Sequence, residues 1–388
     1  MKNILFIHQS AEMYGSDKTL LILVSEFKKK GLHPIVVLPG EGPLKKYLEE
    51  LAIQVEIAPV FKISRKMFSP GNILALPFQI LKAFRKLDEI DKESKIDLVY
   101  SNTLAVLIGL LYARKKNLKH IWHVHEIIES PKMVVQFFKR ALQTKGNTWI
   151  IYNSEATKAF WNDKDELLNL KSEVVHNGLF PSTKALTEDE KKNVRTDQIG
   201  AQDQEILIAL VGRISRWKGQ LLLLEAFNQL SQKHKGIRLL FVGSPPPNQD
   251  EFLDKLKEKI TTYKLEQTVV ILPFQDDIHT IWDVVDVAVV PSTEPEPFGL
   301  VAVEAMLASK PVVGANHGGL KEIIINNETG FLFMPNNVDD LIQKLEVLIL
   351  DTAKRKEMGR KGLERARSVF SVENYTLQIE KICKKLML

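Results

Sequence analysis

A single cysteine in 388 residues, Cys383, leaves no partner for an internal disulfide and no ligand set for a cysteine-based zinc centre. No apolar run reaches the roughly 20 residues that a membrane-spanning helix needs. The opening MKNILFIHQS has one Lys and only the short apolar run Ile4 to Ile7, too little for a signal peptide, so it reads as a first buried strand and the expected location is the cytoplasm. No GxGxxG dinucleotide fingerprint is present, nor any internal repeat of solenoid length. Asp163 and Asp165 form a DxD, but WNDKDELLNL reads as a polar helical face, and no metal is assigned to them.

What is present is the composition of a globular protein, with 45% hydrophobic and 26% charged residues in a length that suits two domains. The net charge of +5 is unevenly divided. Up to His176 there are 26 Lys and Arg against 19 Asp and Glu; beyond it there are 27 against 29. Nucleic acid is not an expected partner of the basic half, because no recognition motif accompanies the charge.

In that half, strand-like runs alternate with helical ones: ILFIH, HPIVVLP, VEIAPV, DLVYSN, HIWHVHE and TWIIYNS, each followed by an amphipathic stretch. This predicts a doubly wound parallel sheet, whose ligands sit at the carboxyl ends of the strands. Gly15 and Ser16 fall in the predicted turn between the first strand and the first helix. His123 and His125 share one strand face, a spacing compatible with a metal site but lacking a third ligand. Ser154 follows a strand as a helix cap. The segments Phe61 to Leu87 and Met133 to Leu142 interleave Lys and Arg with apolar residues, a pattern that solvated helices and helices on an anionic membrane surface both show.

A polar stretch, Pro181 to Gln204, reads as an interdomain connection, and a second βα series opens with EILIALVGRISRWKGQ. Arg213 and Lys218 lie in its first strand-to-helix loop, where two cations suit a diphosphate. Phe274 ends a later strand. The most informative run is VVPSTEPEPFGLVAVEAMLASKPVVGANHGG. An apolar strand passes into a proline-broken loop carrying Glu296, then into a helix opened by Phe298, Gly299 and Leu300 and carrying Glu304. Backbone amides at that helix start can hold a phosphate, which Gly299 lets approach closely, and a Glu further in can accept from a ribose diol.

The spacing EPFGLVAVE, the order Gly212-Arg213, four residues, Lys218-Gly219, and the flanking KPVV and GG resemble the donor-site signature of family 4 retaining glycosyltransferases, also described as glycosyl transferases group 1. The resemblance implies α/β architecture of the GT-B kind: two facing Rossmann-like domains with a cleft between them and a C-terminal helix crossing back to the first. It implies an acceptor domain over residues 1–180 with about 370–388, a linker over 181–204 and a nucleotide-sugar donor domain over 205–369.

It further implies transfer, with retention and without metal or other cofactor, from a nucleoside diphosphate sugar to the hydroxyl of a carbohydrate or lipid-linked acceptor. Surface polysaccharide or glycolipid assembly is the expected setting, with peripheral membrane contact through the basic domain. On this reading Arg213 and Lys218 hold the leaving diphosphate, and Glu296 and His125 hold the sugar. Gly15, Ser16, Phe274, Phe298, Gly299, Leu300 and Glu304 complete the donor site. Ser309 and Lys321 depart from the family pattern, which favours glycine and proline there. A nucleotide-sugar epimerase or phosphorylase of the same fold, or a non-catalytic two-lobed binding protein, are the alternatives.

Overall fold

The computed structural model describes residues 2–60, 70–163, 165–182 and 185–388. It separates into two compact units, Met1–Leu179 with Val372–Leu388, and Phe180–Ser371.

The first unit runs β1 (Asn3–His8), α1 (Gly15–Lys29), β2 (His33–Leu38), α2 (Pro43–Glu50), β3 (Gln54–Ile57), α3 (Pro70–Ser94), β4 (Leu98–Asn102), α4 (Leu107–Lys116), β5 (Lys119–Val124), α5 (Lys132–Gln143), β6 (Trp149–Tyr152), α6 (Glu155–Asn162), α7 (Glu166–Leu170) and β7 (Ser172–Val174). Its seven strands are parallel, in the order β3-β2-β1-β4-β5-β6-β7. The inner strands β1 and β2 are mostly apolar because both faces are covered. Ile4 and Phe6 pack with Leu20, Leu23 and Phe27 of α1, while Leu5 and Ile7 face Leu87, Ile90 and Tyr112 of α3 and α4.

The second unit contains α8 (Glu188–Asn193) with a π-helical turn, β8 (Ile206–Val211), α9 (Gln220–Lys233), β9 (Ile237–Val242), α10 (Glu251–Thr262), β10 (Val269–Leu272), α11 (Ile278–Val284), β11 (Val287–Val290), α12 (Leu300–Leu307), β12 (Val312–Ala315), α13 (Leu320–Ile323), β13 (Gly330–Phe333), α14 (Val338–Leu350) and α15 (Thr352–Val369). Six parallel strands take the order β10-β9-β8-β11-β12-β13. The last helix, α16 (Val372–Leu386), belongs again to the first unit, where Tyr375, Ile379, Ile382 and Cys383 join the core beside α1.

Two local expectations are corrected. Gly15 and Ser16 do not form a loop; they are the first turn of α1, which begins early because Asp17 Oδ2 accepts from the N–H of Tyr14 at 2.8 Å. Within the connecting stretch, Arg195 donates to Val284 O at 2.6 Å, and Leu186 N to Asp283 Oδ2 at 2.8 Å. Asp163 and Asp165 do not share a helical face. Asp163 ends α6, and Asp165 caps α7 by accepting from Leu168 N at 3.0 Å. The part of the basic segment from Phe61 to Ser69 lies outside the described residues.

Ser309 adopts the left-handed conformation, with φ of 61°. Lys310 N bonds Ala305 O at 2.9 Å and Ser309 N bonds Met306 O at 2.9 Å, so α12 closes in a Schellman motif without its usual glycine.

Candidate functional site

In an open parallel sheet the ligand crevice lies at the carboxyl edge, where the strand order reverses. In the second unit that point falls between β8 and β11, and the residues singled out from sequence gather there. Lys218 Nζ lies 2.6 Å from Glu296 Oε1, and Ser292 Oγ donates to the same oxygen at 2.5 Å. Both members of the pair are largely buried, and the Lys218 ammonium stands over the Trp217 ring, 4.2 Å from its centroid. Arg213 is exposed at the start of this loop, and its carbonyl accepts from Gln220 Nε2 of α9 at 2.9 Å.

Glycine permits this arrangement by close backbone approach. A Cβ on Gly219 would stand 2.0 Å from Pro291 O, and one on Gly318, where φ is +58°, would stand 2.2 Å from Glu296 O. The loop carrying Glu296 is therefore clasped from both sides. Thr293 N donates to Trp217 O at 2.8 Å, Gly319 N to Glu296 O at 2.8 Å, and His317 Nε2 to Ser292 O at 2.8 Å.

Gly299 caps α12 in the left-handed region, Leu300 opens the helix and Glu304 lies on its second turn, half-buried. The Phe298 side chain is enclosed, packed edge-to-face on Phe370 at 5.7 Å, so only its main chain is offered to a ligand. Phe274 is 46% exposed beyond the end of β10, with its N–H held by Ser244 Oγ at 3.1 Å.

In the first unit the reversal lies between β1 and β4, whose register sets His8 beside Asn102, and Asn102 in turn beside His123 of β5. His125 follows β5 and reaches back to this row: its Nε2 lies 3.1 Å from Asn102 Oδ1, and its ring lies against that of His123, tilted by 43° with centroids 3.9 Å apart. Burial pushes His125 down to about 3, with His8 adding to the shift, and burial followed by the proximity of His125 holds His123 well below the usual histidine range. Both imidazoles are neutral at physiological pH.

His8, Asp17 and Asn102 were not singled out from sequence. A histidine and an asparagine ending apolar strands, with an Asp in the following helix's first turn, were the available signals. Among the described residues no group of three or more His, Cys, Asp or Glu side chains could hold a metal.

Two family models divide the chain: Glycosyltransferase Family 4 matches residues 14–182, and Glycosyl transferases group 1 matches residues 191–365. The chain is 28% identical to lipopolysaccharide 1,2-N-acetylglucosaminetransferase of Salmonella typhimurium, over 83% of this chain and 81% of that protein. It is 27% identical to an alpha-1,3/1,6-mannosyltransferase of Dictyostelium discoideum, over 99% and 98% of the two chains. The crystal structure of Anabaena Alr3699/HepE in complex with UDP-glucose superposes with a TM-score of 0.85 at 26% identity, over 99% of this chain and all of that one.

Proposed function

From the premise that this chain belongs to glycosyltransferase family 4, with two Rossmann-like units of the GT-B type, we propose that it transfers a sugar with retention from a UDP-sugar to a hydroxyl of a surface glycan or glycolipid. The observation that carries this reading is the Lys218–Glu296 pair at the switch point of the second sheet, assembled from the two motifs that mark the family's donor site. UDP is named because the Anabaena relative was crystallised with UDP-glucose.

Arg213, Lys218 and the main chain at the start of α12 stabilise charge developing on the departing diphosphate, in place of a divalent ion. Glu304 accepts from the ribose, and Phe274 flanks the base. Gly15 and Ser16 are assigned to the donor phosphates. Glu296 and His125 accept from sugar hydroxyls. No enzymic nucleophile is assigned; the acceptor oxygen attacks the face the diphosphate leaves and passes its proton to that phosphate.

The acceptor is lipid-linked or borne on a membrane-associated glycan, and the protein meets the membrane peripherally. α5 supports this: Met133 is 82% exposed and Phe137 46%, on a face shared with Lys132 and Arg140. No described helix is long and apolar enough to cross a membrane.

The test is a thermal-shift panel of UDP, GDP and ADP, followed by UDP-glucose and UDP-N-acetylglucosamine turnover with and without EDTA. A selective rise with UDP is expected, about 2.7 kcal/mol at a hundredfold excess over Kd. Turnover is expected to be insensitive to EDTA. A folded protein that responds to none of the nucleotides overturns the donor-site reading.

A further inference from the structure

The loop that carries Glu296 contains one buried hydroxyl outside the proposed mechanism, that of Ser292. This residue is 0% exposed and lies just beyond the end of β11. Its Oγ is 2.5 Å from Glu296 Oε1, and because a carboxylate only accepts, the serine hydrogen points at that oxygen. Lys218 Nζ reaches the same oxygen at 2.6 Å. Both hydrogen bonds described for this carboxylate therefore end on Oε1, and neither ends on Oε2.

The two donors are not equivalent. An ammonium on a four-carbon stem can follow its partner when the partner turns, so Lys218 neutralises the carboxylate without fixing its angle. A serine oxygen stands one rotatable bond from the main chain. That main chain is anchored on both sides of the hydroxyl: the Ser292 carbonyl accepts from His317 Nε2 at 2.8 Å, and Thr293 N donates to Trp217 O at 2.8 Å. Gly319 N holds the carbonyl of Glu296 at 2.8 Å. The terminal torsion of a glutamate is broad, and the Ser292 hydroxyl is the rigid reference that removes its freedom here.

We propose that Ser292 is a positioning residue of the transfer: by holding Oε1 it sets the plane of the Glu296 carboxylate and turns Oε2 to the donor sugar. This rests on the transferase reading, in which Glu296 accepts from a sugar hydroxyl. Without the Ser292 hydroxyl the pair with Lys218 survives and the nucleotide is still held. The carboxylate, however, turns about its last bond and meets the sugar at the right angle for only part of the time. Ser292 thus acts on the sugar half of the donor and leaves the nucleotide half alone.

Calorimetry with UDP, UDP-glucose and UDP-N-acetylglucosamine, on the full chain and two variants, tests this. Ser292→Ala removes the hydroxyl, while Ser292→Cys keeps nearly its volume and offers a far weaker donor. Both are expected to bind UDP within about twofold of the native protein, and the preferred sugar nucleotide about tenfold more weakly, the worth of one hydrogen bond to a charged group. In a Glu296→Ala background, Ser292→Ala is expected to cost nothing further.

Equal losses for UDP and the sugar nucleotide would make Ser292 a support of the whole loop and overturn the proposal. So would a Ser292→Cys variant that binds like the native protein, since the effect would then belong to the filling of space. A loss that recurs in the Glu296→Ala background shows that Ser292 does not act through Glu296. All of these outcomes leave the transferase reading standing. Native protein that binds none of the three nucleotides condemns that reading and this proposal with it, and binding of UDP alone overturns the sugar-facing role of Glu296 on which the proposal depends.

Discussion

Glu296 takes two hydrogen bonds at a single carboxylate oxygen, one from an ammonium and one from a hydroxyl, in a largely buried setting. Removing Lys218 leaves that carboxylate without its cation, a change that destabilises proteins whatever the lysine's catalytic role. Lys218→Ala is therefore expected to lower both melting temperature and turnover, the latter by about a hundredfold. Adding Glu296→Gln should restore the melting temperature and leave turnover low. Recovery of both would reduce Lys218 to a structural role. Ser309 makes a simpler case, because a left-handed residue with a side chain costs roughly 1 kcal/mol. Ser309→Gly, partly offset by the greater freedom of glycine in the unfolded chain, should raise stability by about 0.5 kcal/mol, measurable by urea denaturation. The motifs around Lys218 and Glu296 were legible because they lie along the chain as contiguous runs. The clasp by His317 and Gly318, and the alignment of His8 with Asn102, were not, because strand register and loop contact bring those residues together across long separations.

β5 and the residue after it carry three buried or half-buried imidazoles. Burial pushes His120 down to about 3, against the pull of its Asn147 hydrogen bond; His125 sits at about the same value and His123 lies well below the usual range. A histidine depressed in the folded state binds its proton only on unfolding, so the unfolded chain takes up protons between pH 6.5 and about 3 and stability falls as pH falls through that window. Each contributes a slope of roughly 1.4 kcal/mol per pH unit in mid-window. The first unit should therefore melt earlier as pH is lowered from 7 to 4, and His120→Gln should flatten that dependence; a melting temperature unchanged over the range would contradict the burial argument. The strand itself was readable from HIWHVHE. That all three histidines are held neutral was not, since it depends on the helices that cover both sides of the sheet. α5 makes the opposite case, because its apolar positions include two, Met133 and Phe137, that stay 82% and 46% exposed. Met133→Ser with Phe137→Ser is expected to weaken binding to phosphatidylglycerol vesicles by at least tenfold, and native protein that fails to sediment with them would remove the membrane reading.

The alternation of strands and helices made both parallel sheets legible, since parallel strands demand crossover helices. The strand order, with β1 and β8 beside the reversal in each sheet, was open until the pairing was known. The return of α16 follows from its apolar face: Tyr375, Ile379, Ile382 and Cys383 are almost fully enclosed in the core of the first unit. At roughly 1.5–3 kcal/mol for each large apolar side chain, their burial is comparable to the whole stability of a domain. A chain truncated after Ser371 should lose the cooperative unfolding transition of the first unit and keep that of the second; two intact transitions would show that α16 is dispensable. The same helix bears on the order of events at the ribosome. Domains ordinarily fold in the sequence in which they emerge. Here the earlier unit must wait for residues made some two hundred positions later, with the side chains of α1 that α16 will cover left bare in the interval. The nascent protein thus completes its second unit before its first, and a ribosome stalled before Val372 holds a ready client for a chaperone.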